Sequence, residues 1–336
     1  MSIVLMQSMS SGATWAELGW TSTGTTQLTG GRFGGGVAYC AQVAPVLALP
    51  AGYAKIGLHM SWKIANLTAT YPWMSLNEAA AGVHLRFNVD ANGHLVVTRD
   101  GAALTGGTGT KVLSANVWYG IEIWAEITDS GGVVKVYFDG DSVPDINVSS
   151  ADTKNGGTGV VDRIGFQVGT GHTAYMCDLV VYNDAGAVNN AAPLGDLRVE
   201  WLLPTGNGTS SALVGSDTNS TDNYLLVDEA TPNGDVDYVE SSTPADKDTY
   251  AMSDLVSSTG SVLAVGAQIY AKKSDAGGRS IAPVYRLSGG TEADGTTRVL
   301  GSDYAVYSEV QEAKPGGGAY SVSDVNGMQV GVKIVS

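Results

Sequence analysis

Apolar and polar residues alternate regularly in the first half of the chain, most clearly in two neighbouring segments. Residues 83–89 (VHLRFNV) carry an apolar side chain at every second position, and residues 94–99 form a second segment of the same kind. Because side chains of a β-strand point alternately to its two faces, the pattern predicts two half-buried strands. Asn92-Gly93 between them accepts positive φ angles, which predicts a two-residue hairpin turn with Val89 opposite Val96. The polar face of the first strand is predicted to carry His84, Arg86 and Asn88.

A second hairpin is predicted from residues 118–127 and 133–138, joined by the turn sequence Thr-Asp-Ser-Gly-Gly. In its first strand, apolar side chains alternate with Glu122, Trp124 and Glu126, so one face is predicted to be core and the other half-exposed. A third hairpin is predicted from residues 164–168 and 174–182, joined through a Gly-Thr-Gly turn, and two further strands are predicted at 37–49 and 54–65. The spacing of the turns is typical of a β-sandwich.

The chain changes character after residue 185. Residues 185–208 are rich in Ala, Asn, Gly and Pro, and the sequence places a domain boundary there, between Leu203 and Pro204. Weaker strand patterns follow at 224–227, 262–272, 298–300 and 328–335, with a helical turn predicted near 253–256. The predicted fold is all-β, with two β-sandwich domains, residues 1–203 and residues 204–336.

Composition supports this prediction and excludes some partners. The 45 glycines in 336 residues are about 13%, against a usual share of about 7%, and they fall between apolar runs as turns do. The net charge of −15 would repel phosphate backbones, so we expect no nucleic-acid partner. No apolar run approaches the ~20 residues of a membrane span, and residues 1–9 lack the pattern of a signal peptide. We therefore expect no membrane partner and assembly in a cytoplasm.

Two cysteines, Cys40 and Cys177, form neither a disulfide framework nor a metal-ligand spacing. Each lies within an apolar strand-like run, which favours two buried free thiols. A single bridge between them stays open at this point.

The order of several motifs resembles laminin-G/concanavalin-like jelly rolls. These motifs are the glycine-rich stretch Gly30–Tyr39, the hairpin motif Trp118–Trp124, the strand Gly132–Gly140 and the late strand Tyr175–Tyr182. The chain is similar, more particularly, to jelly-roll proteins encoded among bacteriophage structural genes, through the segments Asn189–Val199, Asn223–Glu229, Asp235–Tyr238 and Asp324–Lys333. The resemblance covers most of the chain and is carried by the order of the motifs.

The resemblance implies a non-enzymatic virion protein on the particle surface: a capsid or tail decoration, a fibre or a spike component. Its implied partners are other virion proteins, a second copy of the chain in a homo-oligomer, and a host-surface glycan. The alternative from another class is a carbohydrate-binding, lectin-like module, and the weakest alternative is a glycan hydrolase.

Catalytic patterns are weak in this sequence. Retaining glycosidases need two carboxyl groups about 5 Å apart, whereas Glu122 and Glu126 on one strand would lie roughly 13 Å apart at the strand rise per residue. The sequence predicts two solvated carboxylates there and no catalytic residues. The glycine-rich stretch Gly31–Gly36 predicts a sharp bend or bulge rather than a phosphate-binding loop.

Metal and cofactor patterns are equally weak. His59, His84, His94 and His172 show no metal spacing. His84 and His94 flank one hairpin and could be cross-strand neighbours, but the favoured interpretation is two polar-face residues. Calcium ligands are conceivable in two sets, Asp217, Asn219 and Asp222 or Asp235 and Asp237, but such residues are foremost turn formers. We therefore expect no metal site and no cofactor.

Aromatic side chains supply the candidates for sugar binding. The pool consists of Trp62, Trp73, Trp118, Trp124, Tyr71 and Tyr175. Trp124 stands out because carboxylates flank it on a polar strand face, where a ring can stack on a sugar or on a neighbouring subunit. Coverage by a loop of its own domain is an equally good interpretation.

Overall fold

The computed structural model describes residues 1–10, 14–21, 25–27, 29–41, 45–67, 69–166 and 173–336. The side chains of residues 25–27 and 37–41 lie outside this description. The chain divides into two compact units, Met1–Val199 and Glu200–Ser336. The sequence analysis placed its boundary four residues later, after Leu203.

Two antiparallel sheets form the first unit. Sheet 1 contains β1 (Ile3–Gln7), β2 (Thr25–Gln27), β3 (Val37–Ala41), β5 (Lys55–Ile64), β10 (Trp118–Glu126), β11 (Gly132–Phe138), β12 (Ile146–Ala151) and β14 (Thr173–Tyr182). Its strand order is β12-β11-β10-β5-β14-β3-β2, and β1 also pairs with β14. Sheet 2 contains β4 (Val46–Tyr53), β6 (Tyr71–Glu78), β7 (Gly82–Val89), β8 (His94–Arg99), β9 (Ala102–Val112) and β13 (Val161–Phe166). Its order is β4-β13-β6-β7-β8-β9.

The core lies between these sheets. Every second side chain of β5, from Ile56 to Ile64, is buried there, as the alternation of a strand requires. Trp62 of sheet 1 and Trp73 of sheet 2 meet with ring centroids 4.9 Å apart, and Phe87 packs edge-on against Trp73. The predicted all-β fold, with a jelly-roll-like sandwich as its first domain, is confirmed.

The first predicted hairpin is present as β7 and β8, but its turn differs from the prediction. Val89 lies opposite Leu95, and Val96 lies opposite Asn88. The carboxylate of Asp90 accepts hydrogen bonds from the backbone N–H groups of Asn92 and His94, which stabilises a longer loop. Gly93 has a φ of 87°, the left-handed conformation that closes such a loop. The register is therefore shifted by one residue.

The strand β14 changes partner part-way along its length. Residues 173–176 pair with β3, and residues 179–182 pair with β1. Between them, the pairing with β5 is interrupted by a bulge at residues 177–180. Asp178 has a φ of 54° in this bulge, and its side chain is buried. The bulge thus turns a carboxylate onto the outer face of sheet 1.

In the second unit, the main sheet has the order β15-β18-β24-β20-β21, with β22 also pairing with β20. These strands are β15 (Pro204–Ser211), β18 (Lys247–Met252), β20 (Ser280–Arg286), β21 (Glu292–Asp294), β22 (Arg298–Val299) and β24 (Gln329–Ile334). Two short pairs accompany it: β16 (Val214–Gly215) with β17 (Val239–Glu240), and β19 (Val265–Ala271) with β23 (Ala305–Gln311). A buried cluster joins β19 and β20 through Ala267, Tyr285, Tyr320, Val325 and Met328.

Two local predictions for this unit are wrong. Residues 224–227 are not a strand, because Asn223–Leu226 form a 3-10 helix. The buried Asn223 amide donates to the Leu213 carbonyl and to the Asp248 carboxylate, which fixes this segment. The helical turn near 253–256 is absent from the described structure. The α-helix α1 is instead Val322–Asn326, which begins with a capping box between Ser321 and Asp324.

Candidate functional site

The face of β10 that was predicted to be half-exposed is covered by the chain itself. Residues 183–199, which we call the belt, cross the outer face of sheet 1. Glu122 is 3% exposed, and its carboxylate accepts hydrogen bonds from the backbone N–H groups of Leu194 (2.7 Å) and Gly195 (3.1 Å). The hydroxyl of Tyr182 donates a third hydrogen bond at 2.5 Å. The prediction of a solvated Glu122 is therefore wrong, because a segment 70 residues away covers it.

Two more buried polar side chains hold the belt. His59 Nε2 accepts from the Leu197 N–H at 3.2 Å, and the Asp178 carboxylate accepts from the Val199 N–H at 3.0 Å. Each side chain satisfies a backbone group that would otherwise lose its hydrogen bond to water on burial. At the same face, Arg32 from the glycine-rich bend pairs with Asp139 and Asp196. These polar residues hold the belt in place.

Glu126 has a different environment from Glu122. Its side chain is about one-third exposed, lies 3.5 Å from Lys55 Nζ and accepts a hydrogen bond from Trp124 Nε1 at 3.2 Å. Since Glu122 is fully engaged by the belt and Tyr182, this pair offers no shared pocket to a sugar. The site must be sought elsewhere.

Most members of the predicted aromatic pool lie in the core. Trp62, Trp73 and Tyr71 are buried between the sheets. Trp124 is buried too, with its ring centroid 5.8 Å from that of Tyr182, so coverage by its own domain is the correct interpretation. Trp118 and Tyr175 are half-buried, and Lys63 Nζ lies 4.8 Å and 4.4 Å from their ring centroids. Lys63 therefore covers one face of each of these two rings, which disfavours the stacking of a sugar on that face.

A groove of about 490 Å³ lies on the outer face of sheet 2. Its lining consists of Thr70, Val83, Arg86, Asn88, Val96, Thr98, Asp100, Gly101 and Asn155. Arg86 stands opposite Thr98, and Asn88 stands opposite Val96, across β7 and β8. The floor of the groove is therefore formed by hydrogen-bonded strands, which hold the lining side chains in fixed positions.

Hydrogen bonds within the groove leave specific groups available. The Asn88 amide donates to Thr98 Oγ1 at 3.1 Å, and Thr98 Oγ1 donates to the Arg86 carbonyl at 3.4 Å. Neither the Arg86 guanidinium nor the Asp100 carboxylate has a side-chain partner among the residues that the structure describes. As far as the described residues show, the groove thus presents a cation and an anion without side-chain partners, beside the ordered Asn88 amide and Thr98 hydroxyl.

The wall of the groove that carries Asn155 is hydrogen-bonded to two buried side chains, His84 and Glu78. His84 is fully buried, and its Nδ1 accepts from the Asn155 N–H at 3.0 Å, so the ring proton is on Nε2. That nitrogen lies 3.1 Å from both Glu78 Oε2 and the Val160 carbonyl. His84 and His94 are not cross-strand neighbours, because the register of β7 and β8 sets Arg86 opposite Thr98 and Val89 opposite Leu95, which leaves the two histidines at opposite ends of the hairpin. His172 lies outside the described residues.

Glu78 binds the same wall more directly. Hydrogen bonds from the Thr158 N–H, the Thr158 hydroxyl, the Gly159 N–H and His84 lower the pKa of this buried carboxyl to about 2. The backbone bond from Thr158 is the largest of these causes. Glu78 therefore stays ionised and anchors residues 155–160.

The predicted calcium ligands make local contacts. Asp217 accepts from the backbone and side chain of Asn219, as turn-forming residues do. Asp222 precedes the 3-10 helix with a φ of 57°, and Asp235 pairs with Lys272 and Tyr304. Asp237 accepts from Asn233. Within the described parts of the chain, no three His, Cys, Asp or Glu side chains are grouped so as to hold a metal ion.

Cys177 is a free, buried thiol. Burial raises its pKa, and the neighbouring Asp178 carboxylate raises it further, so the reactive thiolate is disfavoured. The side chain of Cys40 lies outside the described residues. In the described ranges, no helix has the length and apolar character needed to span a membrane.

No protein-family model matches the chain, and no curated protein is similar to it in sequence. Among solved structures, the carbohydrate binding module CBM66 from Bacillus subtilis is 17% identical, with 49% of this chain and 96% of the module covered and a TM-score of 0.32. The galectin LEC-6 from Caenorhabditis elegans is 11% identical over 44% of this chain and 95% of the galectin, with a TM-score of 0.31.

The sialidase from Trypanosoma rangeli is 17% identical over 43% of this chain, with a TM-score of 0.32. The matched part is 25% of the sialidase, so this chain spans about a quarter of that enzyme. At these identities and TM-scores, the similarities assign neither a family nor a function to the chain.

Proposed function

We propose that this protein is a non-catalytic carbohydrate-binding protein and that the groove on sheet 2 is its glycan site. The observation that carries the proposal is the lining of that groove. Specific sugar sites combine a rigid floor with a few fixed polar groups that set the orientation of the ligand. Arg86, Asn88, Thr98 and Asp100 offer donors and acceptors of this kind on hydrogen-bonded strands or at the turn that follows them.

The chemistry of the lining favours binding over hydrolysis. Most glycosidases place two carboxyl groups on either side of the scissile bond. Of the described residues that line the groove, Asp100 is the one that carries a carboxylate. Glu78 lies buried behind the wall that carries Asn155, and its carboxylate accepts hydrogen bonds from Thr158, Gly159 and His84. A sugar in the groove would meet no acid–base pair.

A glycan array followed by isothermal titration calorimetry tests the proposal. We expect one or more glycans to bind, and Asn88→Ala to weaken that binding by about tenfold, because one lost hydrogen bond is worth roughly 1 kcal/mol and the Thr98 hydroxyl loses its neighbour as well. Asn147→Ala is the matched control, since Asn147 is an exposed asparagine on β12 of the other sheet. Absence of binding to every glycan, or equal effects of both variants, would contradict the proposal.

We further propose that this carbohydrate-binding protein is exposed on the surface of a bacteriophage particle. It is supported by the resemblance of segments such as Asn189–Val199 to bacteriophage structural proteins. In that setting, the groove would face a host-surface glycan, and the partners would be capsid or tail proteins and further copies of the chain. Immunogold electron microscopy of particles from the source culture tests it. Gold at regular positions on heads or tails is the expected result, and unlabelled particles would exclude this role.

A further inference from the structure

Arg86 is exceptional among the arginines of this acidic chain. In the described structure, every other arginine has a hydrogen-bond acceptor or an ion-pair partner, such as Asp139 and Asp196 for Arg32, Asp152 for Arg99 and Asp275 for Arg279. The Arg86 guanidinium is half-buried in the groove and has none among those residues. A cation that loses part of its hydration without gaining a hydrogen-bond acceptor has a higher free energy. An anion that enters the groove can supply this acceptor and so lower the free energy.

The planar shape of the guanidinium favours a carboxylate as the anion. Its planar fork matches the two oxygens of a carboxylate, which it binds through two parallel hydrogen bonds. Arg86 projects from a central strand of sheet 2 and is held there by pairing on both sides, to Ser75 and to Thr98. The fork is therefore presented from a fixed position at the floor of the groove.

Asp100 defines the other end of the ligand. It lies two positions after Thr98, the residue opposite Arg86, in the turn that follows β8, where its φ of 49° directs the chain out of the strand. An unpaired carboxylate accepts hydrogen bonds from hydroxyl groups and repels a second anion. The complementary ligand carries a carboxylate at one end and hydroxyl groups at the other.

We propose that the groove selects sugars that carry a carboxylate, with Arg86 binding that carboxylate and Asp100 binding hydroxyl groups of the same glycan. The inference rests on the glycan-binding function proposed above and adds the ligand class. The net charge of −15 disfavours unspecific association with polyanions, so a preference for acidic glycans requires direct contact with a cation, the role that we assign to Arg86.

Matched pairs of glycans test the inference. The panel contains uronic-acid and ulosonic-acid oligosaccharides, each beside the neutral oligosaccharide made from it by carboxyl reduction, and calorimetry measures the affinity for the full-length protein. We expect the acidic member of a pair to bind about tenfold or more tightly, because a hydrogen bond to a charged group is stronger than one to a neutral group. Added salt is expected to reduce this preference.

Variants of two arginines identify the group responsible. Arg86→Ala is expected to abolish the preference for the acidic member while leaving the melting temperature unchanged, since the Arg86 guanidinium has no partner among the described residues and the backbone carbonyl that accepts from Thr98 is kept. Arg163→Ala is the control, because Arg163 is an exposed arginine on β13 of the same sheet, outside the groove lining. It is expected to keep the preference.

The outcomes separate this inference from the function on which it rests. Equal affinity for the acidic and neutral members, with Arg86→Ala weakening both alike, would overturn the choice of ligand and leave glycan binding intact. Binding of neither member of any pair, together with an empty glycan array, would overturn both. A preference for acidic sugars that survives Arg86→Ala would show that another group binds the carboxylate.

Discussion

At the scale of single residues, Glu122 lies on the strand face that the sequence pattern predicts, but it is buried where the pattern predicts exposure to solvent. Its place between apolar residues on β10 follows from the alternation of the strand. Its burial follows from the belt, whose N–H groups at Leu194 and Gly195 meet the carboxylate. A carboxylate in this place is a multiple acceptor for backbone donors, which no apolar or amide side chain reproduces.

The substitution Glu122→Gln is expected to destabilise the first unit by about 1–3 kcal/mol, because the amide group turns one acceptor into a donor that faces other donors. Glu126→Gln is the control and is expected to stay within about 0.5 kcal/mol, since Glu126 is partly exposed. Urea unfolding followed by tryptophan fluorescence measures both, because six of the seven tryptophans lie in residues 1–199. Equal midpoints for the two variants would show that the belt does not depend on Glu122.

At the scale of elements, the groove depends on how the segment around residues 155–160 is attached to β6 and β7. Glu78 at the end of β6 and His84 on β7 bind this segment through its backbone N–H groups. Neither Glu78 nor His84 is among the residues that line the groove. They act as positioning residues for Asn155, which lines it.

The lowered pKa of Glu78 predicts a pH dependence of stability. Its pKa falls from 4.5 to about 2 on folding, so its stabilising contribution is present above about pH 4.5 and is lost as the pH falls toward 2. The variant Glu78→Gln is therefore expected to be less stable at neutral pH and to show a flatter dependence in this range. Thermal unfolding at a series of pH values measures it.

Asp141→Asn serves as the control for this pH series. Asp141 is exposed, and its carboxylate has no side-chain partner among the residues described. This variant is expected to keep the pH dependence of the natural protein. A Glu78→Gln profile parallel to that of the natural protein between pH 4.5 and 2 would contradict the assigned role of Glu78.

At the scale of the whole molecule, the belt determines where the first unit ends. The segment 183–199 adds no strand to either sheet, yet it covers Glu122, His59 and Asp178 on sheet 1. Ser2 at the start of the chain also holds it, through the carbonyl of Val188 and the N–H of Asn183. The unit is complete only when the belt is included.

A fragment of residues 1–199 is accordingly expected to unfold cooperatively, and a fragment of residues 1–182 to be less stable by at least about 3 kcal/mol. The shorter fragment lacks the belt's hydrogen bonds to charged or polar side chains, each worth roughly 1–3 kcal/mol. Circular dichroism and urea unfolding of the two fragments compare them. Equal stability would mean that the belt only lies on the sheet and contributes nothing to its fold.

The sequence by itself determined several strands of the first unit, among them β7, β8, β10 and β11, and the side chains of those strands that share a face. The polar positions of β7 included Arg86 and Asn88, which line the groove, because alternation along a strand is a local property with a period of two residues. The bend at Gly31–Gly36 was also foreseen, since hydrogen bonds between Gly31 and Gly34–Gly35 close it. These features depend on residues that are neighbours in the chain.

Only the tertiary structure decided which outer faces are covered and which are open. Glu122 was expected beside solvent and His84 on an open polar face, whereas the belt and Tyr182 cover the first and Asn155 covers the second. For Trp124, an exposed and a covered ring were both open interpretations, and the structure decides for the covered one. The hairpin predicted from residues 164–168 and 174–182 is wrong, because β13 pairs within sheet 2 and β14 within sheet 1. The turn at Asp90–Gly93 likewise depended on a side-chain hydrogen bond that shifts the register. The groups that cover Glu122 and His84 are distant from them in the sequence. The alternation of residues within one strand therefore cannot predict these contacts, which arise from the packing of separate segments.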